Sequence, residues 1–157
     1  RRHQGLRLPP ARTYKPGDMS AGQSNDGRWS HHVLLAEDIP AYMERIIGLF
    51  RGQTLRFIGA ADGQEAIEYI EDLARPLDLL ITDLDMPRRT GWHVIEALRQ
   101  HRGSHVPVIM QTGEAAYPWV VRQAEALGIV LIDKSHVDIR LVAETHRLLQ
   151  IGDQQVS

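Results

Sequence analysis

The chain of 157 residues contains no cysteine, which excludes disulfides and thiolate metal sites and is compatible with a cytoplasmic setting. It also has no apolar run approaching the roughly 20 residues that span a bilayer, so no membrane association is expected. Arg1-Arg2 opens like a twin-arginine export signal, but no apolar stretch follows it. Position 1 is not methionine, so it is either a cut end or precedes a natural start at Met19. No G-x-G-x-x-G stands behind the first apolar run, which argues against dinucleotide binding. Internal repeats are absent. The eight histidines show no metal spacing; His101 and His105 lie four apart, but Gly103 interrupts any shared helix.

What is present suits one domain with a tail. Hydrophobic residues make up 43% of the chain, enough for a core. A chain of this size buries roughly 70% of its unfolded surface. The net charge of −2 is unevenly spread: residues 1–28 carry +4 and residues 29–157 carry −6. An acidic domain is a poor partner for nucleic acid. Residues 1–28, rich in Gly, Pro, Arg and Ser, are expected to form a disordered basic arm, either a plain extension or a contact for an acidic partner or nucleic acid. Residues 29–151 form the domain, and 152–157 are expected to fray.

From residue 31 onward, short apolar runs alternate with amphipathic segments. The runs predict strands at 32–36, 54–58, 78–82, 106–111 and 129–132, and the segments predict helices at 40–50, 63–74, 90–101, 117–127 and 136–150. In the second helix Ala66, Ile67, Ile70 and Leu73 share one face. Asp62, with Glu65 three positions later, reads as its N-cap and capping box. Pro118 suits a first helical turn, and Gly128 suits a helix stop. Five β–α units in series imply an α/β fold with a parallel sheet and right-handed crossovers.

The chemistry gathers at strand ends. Leu79-Leu80-Ile81-Thr82 runs into Asp83, and Val33-Leu34-Leu35-Ala36 runs into Glu37-Asp38. Carboxylates at the rim of an open α/β sheet stand where such folds bind ligands. Three of them, brought together, make a hard-cation site beside a candidate nucleophile. Thr112 closes the fourth run and Lys134 the fifth. Taken singly, each has a plainer reading: Asp83 as a surface residue, Glu37-Asp38 as a solvated helix start. Met86-Pro87 reads as shaping the loop after Asp83 and Gly91 as serving the turn into the third helix, with Trp92 and His93 packing on or decorating that helix.

In this order the features resemble the receiver domain of two-component response regulators, the CheY-like family, over about residues 31–150. The resemblance implies a flavodoxin-like, doubly wound five-stranded parallel sheet of order 2-1-3-4-5, in which the first and third strands are neighbours. Two carboxylates about 4 Å apart then repel by roughly 4 kcal/mol at an effective dielectric near 20. Oxygen-only ligands favour Mg²⁺, with Mn²⁺ as a substitute.

By resemblance, Asp83 accepts a phosphoryl group from a histidine kinase or phosphotransfer protein, and the chain is not an enzyme beyond slow autodephosphorylation. Glu37, Asp38, Asp83 and the backbone carbonyl of Asp85 hold the metal. Thr112 and Lys134 bind the phosphoryl group, and Asp85 and Glu114 flank the attacking water. Thr112 and position 131 form the switch. A downstream protein reads the face of helix four, strand five and helix five, with Tyr117 and Trp119 as candidate contacts. With nothing after the fifth helix, a single-domain regulator is expected.

Two positions depart from the family pattern. Ser135 follows Lys134 where proline is usual, and Leu131 occupies a position usually held by an aromatic ring. These departures keep open a degenerate receiver that serves as a phosphorylation-independent interaction module. A haloacid-dehalogenase-type phosphatase is a third reading of Asp83-Leu84-Asp85, but there the aspartate motif ends the first strand and an acidic pair follows the lysine.

Overall fold

The structure, a computed structural model, describes residues 12–13 and 31–152. Most of the expected arm at 1–28 and the expected frayed end from residue 153 lie outside the described residues. Five parallel strands form the sheet: β1 (His31–Ala36), β2 (Leu55–Ala60), β3 (Leu79–Asp83), β4 (Val108–Thr112) and β5 (Val130–Asp133). Their order is 2-1-3-4-5, as expected. At the β2 edge a further short strand, Arg12–Thr13, pairs antiparallel with Ile58 and Gly59. These two residues fall inside the segment expected to be disordered.

Strand residues alternate between two apolar layers, as a sheet covered on both faces requires. Leu34, Leu80, Val108 and Met110 face one core, which is closed by α2 (Gly63–Glu71), α3 (Gly91–Arg102) and α4 (Pro118–Leu127). Val33, Leu35, Leu79, Ile81 and Ile109 face the other, closed by α1 (Pro40–Gly48) and α5 (Val137–Leu149). Arg45 of α1 also pairs with Asp138 of α5.

Local signals set most helix ends. Pro40 and Pro118 occupy first turns, where no amide hydrogen is needed. Asp62 caps α2 by accepting from the Glu65 amide at 2.9 Å. Gly128 ends α4 in the left-handed region, at φ 65°.

The second helix departs from its predicted span. It stops at Glu71, and Leu73, expected on its apolar face, is 65% exposed. The cause is tertiary. From α3, Arg102 donates to the carbonyls of Ile70, Asp72 and Arg75, each at 2.8 Å. A guanidinium that satisfies these carbonyls removes the need for another helical turn.

Candidate functional site

The 2-1-3 order makes β1 and β3 neighbours, with Ala36 level with Thr82. The residues just past those positions, Glu37, Asp38 and Asp83, therefore meet on one rim. Each offers a carboxylate oxygen, and these oxygens lie within 4.8 Å of one another. Glu37 is 1% exposed and Asp83 5%. Backbone bonds fix both ends: the Glu37 amide donates to the Ala60 carbonyl at 3.0 Å, and Glu37 Oε1 accepts from the Ile39 amide at 3.2 Å. Asp83 Oδ1 accepts from the Leu84 amide at 2.7 Å.

Lys134 reaches this cluster from the end of β5. Its Nζ donates to Asp83 Oδ2 at 2.7 Å and stands 3.6 Å from Glu37 Oε2. Burial pulls the ammonium's pKa down, but the Asp83 bond and the charges of Asp83 and Glu37 outweigh it, leaving a net rise. Burial pushes Asp83 up, against the pull of Lys134. Burial and the Asp83 charge push Glu37 up to about 7, although Lys134 opposes them. The cluster is thus short of positive charge.

The oxygens fit a small divalent cation. An octahedral Mg²⁺ places its ligand oxygens about 3–4 Å apart, within the span found for this set. No sulfur or imidazole competes, which suits Mg²⁺ or Mn²⁺ over softer metals.

The other expected residues stand at the ends of β3 and β4, within β5 and at the start of α4. Thr112 ends β4, next to β3; it is buried, and its Oγ accepts from the Glu114 amide at 3.0 Å. Asp85 is exposed on the loop after β3, and Glu114 is half-buried after β4. Leu131 packs partly buried against the core that contains Val120 of α4. Tyr117 and Trp119 stand 54% and 52% exposed at the start of α4.

Gly91 does more than turn the chain. A Cβ there would lie 2.3 Å from the Asp83 carbonyl oxygen, so only glycine lets α3 begin against the end of β3. His93 caps α3 rather than decorating it: its Nδ1 accepts from the Thr90 amide at 3.2 Å. The β3–α3 loop is also fixed by a pair that sequence reasoning missed. Arg88 sits at φ 66° and forks onto Asp62, at 2.9 and 3.0 Å.

Two further residues line the site without having been anticipated. Gln111, fully buried on β4 beside Asp83, directs its amide nitrogen at Glu37 Oε2, 3.5 Å away. Tyr42 of α1 places its ring 4.6 Å from the Lys134 ammonium. A polar residue inside an apolar strand was the available signal for Gln111; Tyr42 carried none.

A response regulator receiver domain model matches residues 33–146. The chain is 28% identical over 123 residues to the chemotaxis protein CheV2 of Helicobacter pylori, covering 75% of this chain and 37% of that protein. It is 29% identical over 118 residues to the transcriptional regulatory protein CpxR of Escherichia coli, covering 75% and 49%. The chain thus spans less than half the length of these relatives. A solved CheY-like receiver domain protein from Methanospirillum hungatei shares the fold, with a TM-score of 0.67 at 21% identity over 80% of this chain and 95% of that one. Among the described residues, no helix is long and apolar enough to cross a membrane.

Proposed function

The chain belongs to the response regulator receiver family, and on that premise we propose that Asp83 accepts a phosphoryl group from the phosphohistidine of a kinase or phosphotransfer protein. The observation that carries this reading is the convergence of Glu37, Asp38 and Asp83 with the Lys134 ammonium at 2.7 Å from Asp83.

In the transfer, an oxygen of Asp83 forms the new bond to phosphorus. The bond from phosphorus to the histidine nitrogen breaks, and its electron pair stays on the imidazole. Lys134 follows the charge from the carboxylate to the phosphoryl oxygens. Glu37, Asp38, Asp83 and the backbone carbonyl of Asp85 would hold Mg²⁺, which when bound supplies positive charge to the phosphoryl oxygens. Thr112 exchanges its contact with the Glu114 amide for a hydrogen bond donated to the phosphoryl group. Asp85 and Glu114 flank the water that later hydrolyses the acyl phosphate.

The added charge, about −1.5 to −2, biases the β4–α4 segment toward a second arrangement. Leu131 has no ring to rotate, so the moving element in this chain is the segment that carries Tyr117 and Trp119. A protein target then reads the face of α4, β5 and α5. The chain acts as a phosphoacceptor rather than an enzyme.

The test is intact-mass measurement after incubation with acetyl phosphate and Mg²⁺. One labile phosphoryl adduct, absent from Asp83→Asn and absent without the metal, is the expected result. No adduct from any donor would leave a phosphorylation-independent interaction module instead.

A further inference from the structure

Lys134 carries its charge on a flexible four-carbon stem, yet it must hold that charge over Asp83. Its backbone is secured locally. Asp133 Oδ1 accepts from the Ser135 amide at 2.9 Å and from the Ser135 hydroxyl at 2.6 Å, which starts the short 3₁₀ turn Lys134–His136. Nothing in that turn directs the ammonium itself.

Tyr42 lies beneath it. The residue sits on α1 and packs against the core that contains Phe50, Phe57 and Val137. The Lys134 ammonium stands over its ring, 4.6 Å from the centroid, while donating to Asp83 at 2.7 Å. The Tyr42 hydroxyl is buried and has no hydrogen-bond partner among the described residues. An unpaired buried hydroxyl is a cost, so the contact that recommends this side chain is its ring. The ring's negative face attracts an ammonium, more strongly where water is displaced.

We propose that Tyr42 is a positioning residue for Lys134: its ring is the seat that keeps the ammonium aimed at Asp83 and at the phosphoryl oxygens that arrive there. This rests on the reading of Lys134 as the phosphoryl-binding cation. It also explains how the lysine is held in a loop where Ser135 follows it. The backbone is fixed by Asp133 and Ser135, and the charged end by Tyr42, which lies 92 positions earlier in the chain.

The test compares Tyr42→Leu and Tyr42→Phe, each alone and combined with Lys134→Met. Two readouts are used on the whole chain. The first is the proton shift of the Lys134 ε-methylene group in the unphosphorylated protein, where a ring at this distance gives an upfield displacement. That displacement is expected in the native protein, kept in Tyr42→Phe and lost in Tyr42→Leu. The second is the rate of phosphoryl uptake from acetyl phosphate at saturating Mg²⁺. Tyr42→Leu is expected to slow it about five- to thirtyfold, and Tyr42→Phe, which keeps the ring, recovers most of the rate. In the Lys134→Met background Tyr42→Leu adds no further slowing.

The proposal is overturned by any of four results. These are an undisplaced ε-methylene in the native protein, a native rate in Tyr42→Leu, equal slowing with and without Lys134, or a Tyr42→Phe as slow as Tyr42→Leu. If the native protein takes up no phosphoryl group, the phosphoacceptor reading fails, while the shift measurement still decides whether Tyr42 seats the lysine.

Discussion

Lys134 occupies the Oδ2 side of Asp83 at 2.7 Å, while the Leu84 amide holds Oδ1 at the same distance. Both carboxylate oxygens of Asp83 are therefore paired. An ammonium in that place competes with a cation for the same cluster, yet under the proposed function it is the charge that meets the phosphoryl group.

Lys134→Met separates these two effects. Mg²⁺ is expected to bind several-fold more tightly, because the competing charge is gone. Phosphoryl uptake is expected to fall about a hundredfold, the usual cost of losing one donor to a developing charge. A metal titration followed by tryptophan fluorescence and a timed mass measurement check the pair. Weaker metal binding in the variant would contradict this arrangement.

Glu37 sets a pH dependence. With its pKa raised to about 7 from an ordinary 4.5, it holds a proton in the metal-free fold that the unfolded chain has already lost. The folded state binds more protons between those values. Its contribution to stability is therefore present at low pH and is lost as pH rises through that window. Metal binding must expel the proton, so Mg²⁺ affinity is expected to rise about tenfold from pH 6 to pH 8. Calorimetry in two buffers of different ionisation enthalpy would show proton release on binding; a flat affinity without release would refute it.

Gly91→Ala tests the close approach at the end of β3. The new Cβ would stand 2.3 Å from the Asp83 carbonyl oxygen and 3.1 Å from Leu84 Cα, both backbone atoms that cannot step aside cheaply. Overpacking of this kind costs about 1–3 kcal/mol or more. A lower urea midpoint is expected, together with slower phosphoryl uptake because Asp83 itself is displaced.

Arg88 gives an ordering rather than a single loss. Its backbone lies in the left-handed region at φ 66°, and its side chain forks onto Asp62. Arg88→Gly loses the ion pair but relieves the backbone, so its denaturant midpoint should stay close to native. Arg88→Ala loses the pair and keeps the strain, so it should be the less stable of the two. The reverse order would contradict this account of the loop.

Much of this site was legible because the signal is local. An apolar run that stops at a carboxylate marks a strand end, and Ala36-Glu37 and Thr82-Asp83 both do so; the strand order came from the family resemblance. Pro118 and Gly128 bounded α4 because a ring and a left-handed backbone act on the residues beside them. The misses are contacts across the fold. Periodicity carried α2 on to residue 74, since no pattern within it reveals that Arg102 takes its last carbonyls. Tyr42 and Lys134 are 92 positions apart, and only the folded chain brings the ring within 4.6 Å of the ammonium. Arg88 broke a local rule, since arginine rarely adopts a positive φ, and Asp62 supplies the compensation.

The most direct measurement traps the modified side chain. Borohydride reduces an acyl phosphate at aspartate to homoserine, and peptide sequencing by mass spectrometry then locates it. After treatment with acetyl phosphate and Mg²⁺, homoserine is expected at position 83 and nowhere else. Homoserine at another aspartate, or at none despite an intact fold, would contradict the assignment of Asp83 as the phosphoacceptor.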